Sequence, residues 1–421
     1  MKRWLCVWLV SLMFCSSSVS FAQGSTAVPF VTIHPAPHLN GMAGAFTALP
    51  TADPFGQFFN PAQLATFARQ NNFAVQFYPQ KTRWLPQFTF SDFTFSSTAA
   101  AFGYSSDKIL RDVSLSFAAG FVKSTLDLGN NIWTDEAGNQ LGTFHSDETY
   151  QQFSFGMGLD WYIKFNMGFA LKNIKTNLYP TNVGIEDQKK DRSARTIDYG
   201  FLLIIPATDL LNVKGFSCSS LGQVQPFFDL SFGFSVLNVG DEMHYIYENQ
   251  AAPFPRTAAI GYGLSMGLDG HVWDTRLRLI KADWSAEARN LLIELKADES
   301  WNYVAFPGKI NFKDHVLLGK YDQYITIYQG YRFQLLEFIE FSFGYFRGSG
   351  YHPYIKTQGI QISSTGIGKI FSARIDHLIL KELLNKLSVS YVWSKYSSTE
   401  TSHPLNGTEF KGLTLTLRGL F

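Results

Sequence analysis

Cysteine and charge are both scarce in this sequence. It contains 3 cysteines among 421 residues, and removal of the predicted leader would leave only Cys218. A single cysteine cannot form an intrachain disulfide, so stability must come from hydrogen bonding and burial. Charged residues make up 16% of the chain, against the roughly 25% that is usual for soluble domains. This low charge disfavours an ordinary soluble domain.

Long apolar runs and a large net charge are missing as well. The longest apolar run beyond the leader, FLLII at residues 201–205, is far shorter than the ~20 residues of a spanning helix. If the chain spans a membrane, it does so without helices. The net charge is +1, and because no basic face is indicated, no nucleic-acid partner is predicted.

Residues 1–22 have the pattern of a secretory signal peptide. Lys2 and Arg3 precede an apolar run at residues 4–14, and a small-x-small cleavage pattern ends at Ala22. A membrane anchor is disfavoured because this run is too short to cross a bilayer. A lipoprotein signal at Cys15 is disfavoured because a bulky residue precedes that cysteine. We therefore expect a mature chain that works outside the cytoplasm.

Aromatic residues are abundant and recur in alternating segments. They make up 16% of the chain, with 39 phenylalanines. In QQFSFGMGLDWY, residues 151–162, large apolar residues alternate with Gln, Ser, Gly and Asp, which is the two-residue period of a strand. The same pattern predicts strands at residues 73–78, 112–121, 165–174, 196–205, 227–236, 257–268, 275–285, 315–320, 324–333, 339–346, 370–379, 387–393 and 411–421.

Two all-β folds fit this alternation, a soluble sandwich and a transmembrane barrel. The outward residues of a sandwich would be charged, whereas the non-apolar positions here are mostly small and uncharged. Aromatic residues also recur at strand ends, as at Trp161, Tyr162 and Trp393. A sheet spans a bilayer only when it is closed, because every backbone polar group must be paired there. The sequence therefore predicts a closed antiparallel transmembrane β-barrel with a more polar interior.

The C-terminal segment KGLTLTLRGLF is typical of bacterial outer-membrane barrels. Leu417, Gly419 and Phe421 lie on one parity of the alternation, and the chain stops on the phenylalanine. With the leader, this pattern predicts recognition by the outer-membrane assembly machinery. The predicted location is the outer membrane of a Gram-negative bacterium, where a multi-pass barrel contacts outer-membrane lipid.

Loop lengths predict the orientation of the barrel. Only a short turn separates Trp161 from Phe165, whereas the polar links at residues 124–148 and 175–195 are long. Bacterial barrels place short turns in the periplasm and long loops outside. Both long links are therefore predicted to face the cell exterior.

The stretch GMAGAFTALPTADPFGQFFNPAQLA, residues 41–65, has too few charges for a surface helix and too many breakers for a core helix. It resembles the N-terminal signature of the FadL-like superfamily of outer-membrane barrels, and specifically the PorV/PorQ-type branch. The resemblance is carried by Gly41, Gly44, Asn60, Pro61 and Ala62. Three later segments resemble the same branch, namely SARTIDYGFLL at 193–203, FGFSVLNVGDEMHYI at 232–246 and FPRTAAIGYGL at 254–264.

The resemblance implies a barrel of about fourteen strands at residues 72–421, with residues 23–71 folded inside it as a hatch. Within the hatch, Asn60 would cap a short helix begun by Pro61. The sequence departs from the family pattern at Gln63, where a glycine usually follows Asn-Pro-Ala. The connection at residues 206–226 is also longer than a periplasmic turn should be.

Several further residues are candidates for a binding role. Four hatch phenylalanines would line a ligand pocket or, as we favour, pack the core of the hatch: Phe46, Phe55, Phe58 and Phe59. Asp198 and Asp229 lie on the polar parity of their strands and are predicted to face the lumen, since a charge facing lipid costs ~2 to 4 kcal/mol. They would line a binding path, anchor the hatch or stand solvated in the lumen.

Signatures of catalysis and of metal binding are missing. The 9 histidines are scattered, without the spacing of a zinc site. STGIGKIF, residues 364–371, departs from a phosphate-binding loop and is predicted to be a turn between strands. A Ser-His arrangement that forms only in space stays open, but no nucleophile-elbow motif supports it. We predict no enzymatic activity, no metal and no cofactor.

Two functions from different classes follow from these observations. The first is a non-enzymatic barrel of PorV/PorQ type that binds exported protein cargo or partners of the type IX secretion system through its long outer loops. The alternative is FadL-like passive transport of a hydrophobic small molecule past the hatch. A third interpretation, a barrel that serves mainly as a scaffold, also stays open.

Overall fold

The computed structural model describes residues 26–89, 92–106, 113–135, 137–178, 193–218, 222–240, 242–244, 251–273, 275–296, 300–348 and 351–419. The predicted signal peptide and the terminal Phe421 lie outside these ranges, as does most of the predicted loop at 175–195. Their assignments stay predictions.

Fourteen antiparallel strands form a closed barrel. The alternation predicted the closed antiparallel barrel, and the resemblance implied the number of strands. Each strand pairs with its neighbours along the chain, and β1 closes the ring by pairing with both β2 and β14. The strands are β1 (Phe73–Phe77), β2 (Thr94–Ser105), β3 (Ser114–Thr134), β4 (Gln140–Asp160), β5 (Lys164–Asn177), β6 (Ser193–Pro206), β7 (Gly222–Val239), β8 (Thr257–Val272), β9 (Thr275–Leu291), β10 (Ile325–Leu335), β11 (Ile339–Gly348), β12 (Tyr351–Ser363), β13 (Leu387–Ser398) and β14 (Glu409–Leu417).

The two faces of the barrel wall differ as the alternation requires. On β4, Phe153 and Phe155 are 45% and 50% exposed, whereas Gln152 and Ser154 are 0% and 1% exposed. Large apolar side chains therefore point outward and small or polar ones point into the lumen. An outward apolar surface on a closed barrel is suited to lipid, which distinguishes this fold from a soluble sandwich.

The N-terminal segment occupies the lumen. Residues 26–71, which we call the hatch, precede β1 and contain a 3-10 helix at Pro29–Thr32 followed by α1 (Pro37–Asn40), α2 (Gly56–Phe59) and α3 (Gln63–Gln70). Most hatch side chains are buried. Gly41 and Gly44 allow close approaches, since an added Cβ would lie 3.1 Å from the Gly359 Cα and 2.5 Å from the His34 ring.

Connections at the two ends of the barrel differ in kind. We call the end where β1 begins and β14 finishes the near end, and the opposite one the far end. The near end carries tight turns at 161–163 and 336–338, together with α4 (Ala207–Leu210), α5 (Thr365–Ser372) and α6 (Leu378–Lys386). In the 206–226 connection, α4 is followed by a strand at Phe216–Cys218 that pairs with the start of β7.

The far end carries short additional elements. A strand at Thr82–Arg83 extends the sheet beside β2, and Glu242–His244 pairs with Ala251–Pro253. Ile293–Leu295 also pairs with Trp301–Tyr303, and a π-helix follows at Phe312–Leu317. Among all described residues, no helix is long and apolar enough to cross a bilayer.

Several sequence predictions of strands and turns were wrong, and residues 364–371, predicted to be a turn between strands, contain most of α5. Residues 124–148, predicted to be a polar loop, mostly extend β3 and β4, which end at Thr134 and begin at Gln140. Residues 315–320 contain the end of the π-helix, and residues 370–379 run from α5 into α6. Short apolar runs fit helices and strands equally, so periodicity could not separate these two cases.

The described residues 304–318 of the link between β9 and β10 pack in part on the outside of the barrel wall. Ile310 and Val316 of this link are buried in one cluster with Ala258, Ala288 and Ile327, which lie on the outward parity of their strands. Protein therefore covers part of the outer wall at the far end of β8, β9 and β10.

Candidate functional site

Asn60 joins the hatch to the barrel wall. Its Oδ1 accepts a hydrogen bond from the Ala62 N–H at 3.0 Å. Its Nδ2 donates to the Thr47 carbonyl of the hatch at 2.8 Å and to the Phe201 carbonyl of β6 at 3.0 Å. Helix α3 begins at Gln63 and not, as predicted, at Pro61, which with Ala62 forms the turn before the helix. Gln63 itself is buried and bonds to hatch backbone.

The later motif segments meet the hatch at this place. Gly200, in the IDYG segment of β6, leaves room for Asn60, because a Cβ there would collide with the Asn60 Oδ1. Two residues earlier, the Asp198 Oδ1 accepts a hydrogen bond from the Asn238 N–H of the LNVG segment at 2.7 Å. The Asn238 Nδ2 donates to the carbonyl of Pro255 at 3.2 Å. Four segments distant in sequence thus form one contact region.

A buried lysine completes this region. The Lys172 Nζ of β5 lies 2.7 Å from the Asp198 Oδ2 and donates to the Asn238 Oδ1 at 2.8 Å. The side chains of Lys172 and Asp198 are both fully buried. The same ammonium lies 5.3 Å from the ring centroid of Phe58 in the hatch and 5.8 Å from that of Tyr150. The charge is therefore neutralised by one carboxylate and covered by aromatic rings.

The backbone of the barrel wall is irregular where this cluster forms. The register between β6 and β7 shifts between Ile197 and Tyr199, and Asn238 has a positive φ of 58°. Asparagine tolerates this left-handed conformation better than most residues do. The irregular backbone is stabilised by Asp198, which accepts the Asn238 N–H.

A belt of lumen-facing glycines surrounds the hatch. A Cβ added at any of them would lie within 3.1 Å of a hatch atom, so the hatch packs directly on the backbone of the wall. The belt comprises Gly103, Gly120, Gly156, Gly168, Gly200, Gly233, Gly263, Gly330, Gly344, Gly359 and Gly412. The hatch is therefore fitted to the wall around most of the circumference.

Replacing one belt glycine tests this fit. In Gly168→Ala the new methyl group would collide with the Pro61 carbonyl carbon, so we expect a loss of about 1 to 3 kcal/mol, as overpacking usually costs. The measurement is urea unfolding in lipid vesicles, with hydrogen exchange of the hatch amides. Gly142→Ala is the matched control, because the nearest atom to its Cβ is in Trp133 at 4.0 Å. Equal stability of both variants would contradict the packed hatch.

A second set of contacts, made by charged side chains, joins α1 of the hatch to β11 of the wall. The His38 ring in α1 lies 3.0 Å from the Asp53 Oδ2 of the hatch and 2.6 Å from the Glu340 Oε1 of β11. Burial alone would lower the pKa of His38, but the carboxylates of Glu340 and Asp53 outweigh it and raise the pKa to about 9. Protonated His38 therefore forms an ion pair between the hatch and the wall at neutral pH.

The network continues along the wall and to a second hatch contact. Arg332 of β10 bonds to Asp283 of β9 at 2.7 Å and approaches Glu340 at 3.9 Å. Farther along β9, Glu287 accepts the Thr47 N–H at 2.8 Å, and Arg289 donates to the Gly44 carbonyl at 2.6 Å. Charged lumen groups are thus used to bind hatch backbone.

A cavity of about 210 Å³ lies beside this region, between the hatch and the far-end halves of β7 to β10. Val31, His34 and Phe58 line it from the hatch. Leu237, Asn238, Leu291, Arg289 and Tyr328 are among its wall residues. Its lining includes the exposed Thr32 and Tyr324, so it opens to solvent at the far end.

A larger groove of about 490 Å³ lies on the outward side of β2 to β5. Its lining includes Phe102, Phe117, Phe155 and Met157, all of which are exposed. Lipid chains fill such a surface on a membrane-spanning wall, so the lumen cavity is the better candidate for a specific ligand.

The structure places the predicted site residues in different parts of the molecule. Phe46, Phe55 and Phe59 are fully buried within the hatch core, whereas Phe58 also borders the cavity. Asp198 belongs to the Lys172 cluster. Asp229 is half-buried on the parity of the lumen-facing Ser231 and lies toward the near end, away from the cluster. At the C-terminus, Leu417 ends β14 and Gly419 follows with a positive φ of 61°.

No family model and no curated protein matches this sequence. Solved barrels do match in structure, among them the toluene transporter TodX of Pseudomonas putida, at 10% identity and a TM-score of 0.35, over 90% of this chain and 95% of that one. A FadL homologue of Pseudomonas aeruginosa matches at 10% identity and a TM-score of 0.37, over 91% and 98%. The transport unit of the autotransporter AIDA-I from Escherichia coli matches at 10% identity and a TM-score of 0.31, over 83% and 88%. Scores this low carry no argument about function.

Sequence reasoning missed the residues that face Asp198 and the hatch. Lys172, Glu287 and Arg289 were not singled out, although each is a charge on the lumen parity of its strand. Such a charge in a predicted spanning strand is costly unless it is paired, and this signal could have identified all three. Among the described residues, no group of three or more His, Cys, Asp and Glu side chains is placed to hold a metal ion.

Proposed function

We propose that this protein is a non-enzymatic outer-membrane barrel that binds a hydrophobic small molecule with a polar end and passes it across the membrane in the FadL-like manner. The observation that carries the proposal is the solvent-connected cavity beside the hatch. Phe58, Leu237 and Tyr328 supply apolar and aromatic surface, and Arg289 and Asn238 supply polar groups. A cavity that combines apolar walls with a few polar groups is suited to such a ligand.

The proposed orientation places the far end outside the cell. The tight turns at 161–163 and 336–338 lie at the near end, and the long link between β9 and β10 lies at the far end. Bacterial barrels put their short turns in the periplasm. The cavity would then take up its ligand from the external medium.

A cavity-filling substitution tests the proposal. Leu291 lines the cavity, so Leu291→Trp should occupy the ligand volume and abolish recovery of a bound amphiphile by lipid extraction and mass spectrometry. Leu335→Trp is the matched control, because Leu335 is exposed on the outward face of β10. The wild type and the control should both release a stoichiometric amphiphile. Extracts of all three proteins without any amphiphile would refute the ligand-binding function.

A second function of a different class rests on the extended hairpin of β3 and β4. Its far-end part exposes the apolar side chains of Ile132 and Leu141. Such residues suit a protein partner, which here would be exported cargo or a component of the type IX secretion system, as in PorV/PorQ-type barrels. Co-purification from native membranes tests this function. Recovery of the barrel without any exported or secretion protein would count against it.

A further inference from the structure

The connection between β12 and β13 forms a helical hairpin that exposes an apolar surface. We call residues 364–386, which include α5 and α6, the rim hairpin. Leu378 and Ile379 at the start of α6 are 72% and 75% exposed, and no described residue of that helix is buried. Ile367 and Phe371, one turn apart on α5, are exposed too. An apolar surface of this kind marks an interaction site.

The rim hairpin is fixed to the near end of the barrel. The Lys369 Nζ donates to the Glu337 Oε2 at 2.6 Å, and the Gly366 N–H donates to the Glu337 carbonyl at 3.2 Å. The Ser372 Oγ donates to the Asn385 Oδ1 at 2.5 Å, which ties α5 to α6. The exposed surface therefore belongs to an ordered element with defined anchoring contacts.

The hairpin starts and ends beside the lipid-facing wall. Ile362 and Val389, the outward residues that flank it on β12 and β13, are both exposed. At its tip, the Arg374 guanidinium lies 4.1 Å from the ring centroid of Trp273, an exposed residue in the turn between β8 and β9. Tryptophan is enriched where membrane and water meet. These contacts place the hairpin at the level of the near-end membrane surface.

The charges of the hairpin suit an anionic surface. It carries four basic side chains, Lys369, Arg374, Lys381 and Lys386. Lys369 pairs with Glu337 and Lys386 pairs with Glu382, so Arg374 and Lys381 stand against one further acidic side chain, Asp376. Apolar residues combined with an excess of lysine and arginine are typical of helices that lie in the plane of a membrane.

We propose that the rim hairpin lies on the near-end leaflet, with Leu378, Ile379 and Phe371 inserted among the acyl chains of an anionic phospholipid surface. This placement of the rim hairpin requires only a membrane-spanning barrel and does not depend on binding of the proposed small molecule. A second copy of this chain or another protein would be a different occupant of the same surface.

The fluorescence of an environment-sensitive label tests whether lipid covers the exposed surface of the rim hairpin. The label is attached to Ile379→Cys, in a chain whose other cysteines are serine, and the barrel is placed in nanodiscs of phosphatidylglycerol and phosphatidylethanolamine. We expect a blue-shifted emission that is quenched by lipids with a nitroxide near the headgroup and is protected from aqueous iodide. Thr401→Cys, exposed in the far-end link between β13 and β14, is the matched control and should be quenched by iodide.

Two other outcomes would overturn the proposal. Iodide quenching equal to that at Thr401→Cys, without lipid quenching, would place the surface in water. Protection from both quenchers would mean that a protein covers it, and cross-linking from the same cysteine would then distinguish a second copy from another partner. Because Ile379 is exposed, the label should not disturb folding, and heat-dependent gel mobility of the barrel verifies this.

Discussion

Replacing Lys172 by methionine should lower the free energy of unfolding by about 3 to 5 kcal/mol, the usual cost of removing one partner from a buried ion pair. The variant leaves the Asp198 carboxylate fully buried, with the Asn238 N–H as its remaining donor. It also leaves the Asn238 Oδ1 without the Lys172 ammonium. Urea unfolding of the barrel in lipid vesicles measures the effect.

The same strand offers a matched control. Lys164 also pairs with an aspartate, Asp160, at 3.7 Å, but both side chains are partly exposed. Lys164→Met should therefore cost less than about 1 kcal/mol, as surface pairs do. The double variant Lys172→Met/Asp198→Asn should recover part of the loss, because it removes the uncompensated charge. If Lys172→Met is no more destabilising than Lys164→Met, the buried pair does not stabilise the wall.

Deleting residues 41–65 should turn a closed barrel into a conducting one in planar bilayers. The sheet closes through the pairing of β1 with β2 and β14, so the ring does not depend on the deleted residues. Their removal uncovers the glycine belt and the lumen charges of Asp283, Glu287 and Arg332, which water and ions can then reach. We expect long-lived open steps where the intact protein shows a closed baseline.

Two controls make this result interpretable. A deletion of the exposed residues 400–402 in the far-end link does not touch the hatch cluster and should keep the baseline closed. Heat-dependent gel mobility shows whether each variant has formed a folded barrel. A folded deletion variant of residues 41–65 with unchanged conductance would mean that the hatch does not close the lumen.

The sequence was most informative where a strand crosses the apolar region with large residues on one face. β4 is such a strand, and its alternation predicted the segment from residue 151 onward and which of its side chains face outward. Two strands were missed for opposite reasons. β2 carries small residues such as Ala99 and Ala100 on both faces, and β12 carries the polar Lys356 and Gln358 on its outward face. In both, the contrast between the faces is weak.

The contact region at Asn60 was beyond the reach of sequence reasoning. The quoted motifs contain Asn60, Gly200 and Asn238, but nothing in the sequence indicated that these residues contact one another. Their meeting depends on the register between β6 and β7, including the shift beside Asp198. Register is a global property of the closed sheet, so it cannot be read from a single segment.

The glycine belt has a consequence for how such a barrel can change over evolutionary time. A larger residue at Gly168 is tolerable only if Pro61 moves, and a larger residue at Gly330 only if Met42 moves. Accepted substitutions in the hatch and in the wall must therefore arrive as compensating pairs. A hatch transplanted from another barrel would fit only together with its own ring of small residues, so the two are inherited as one unit.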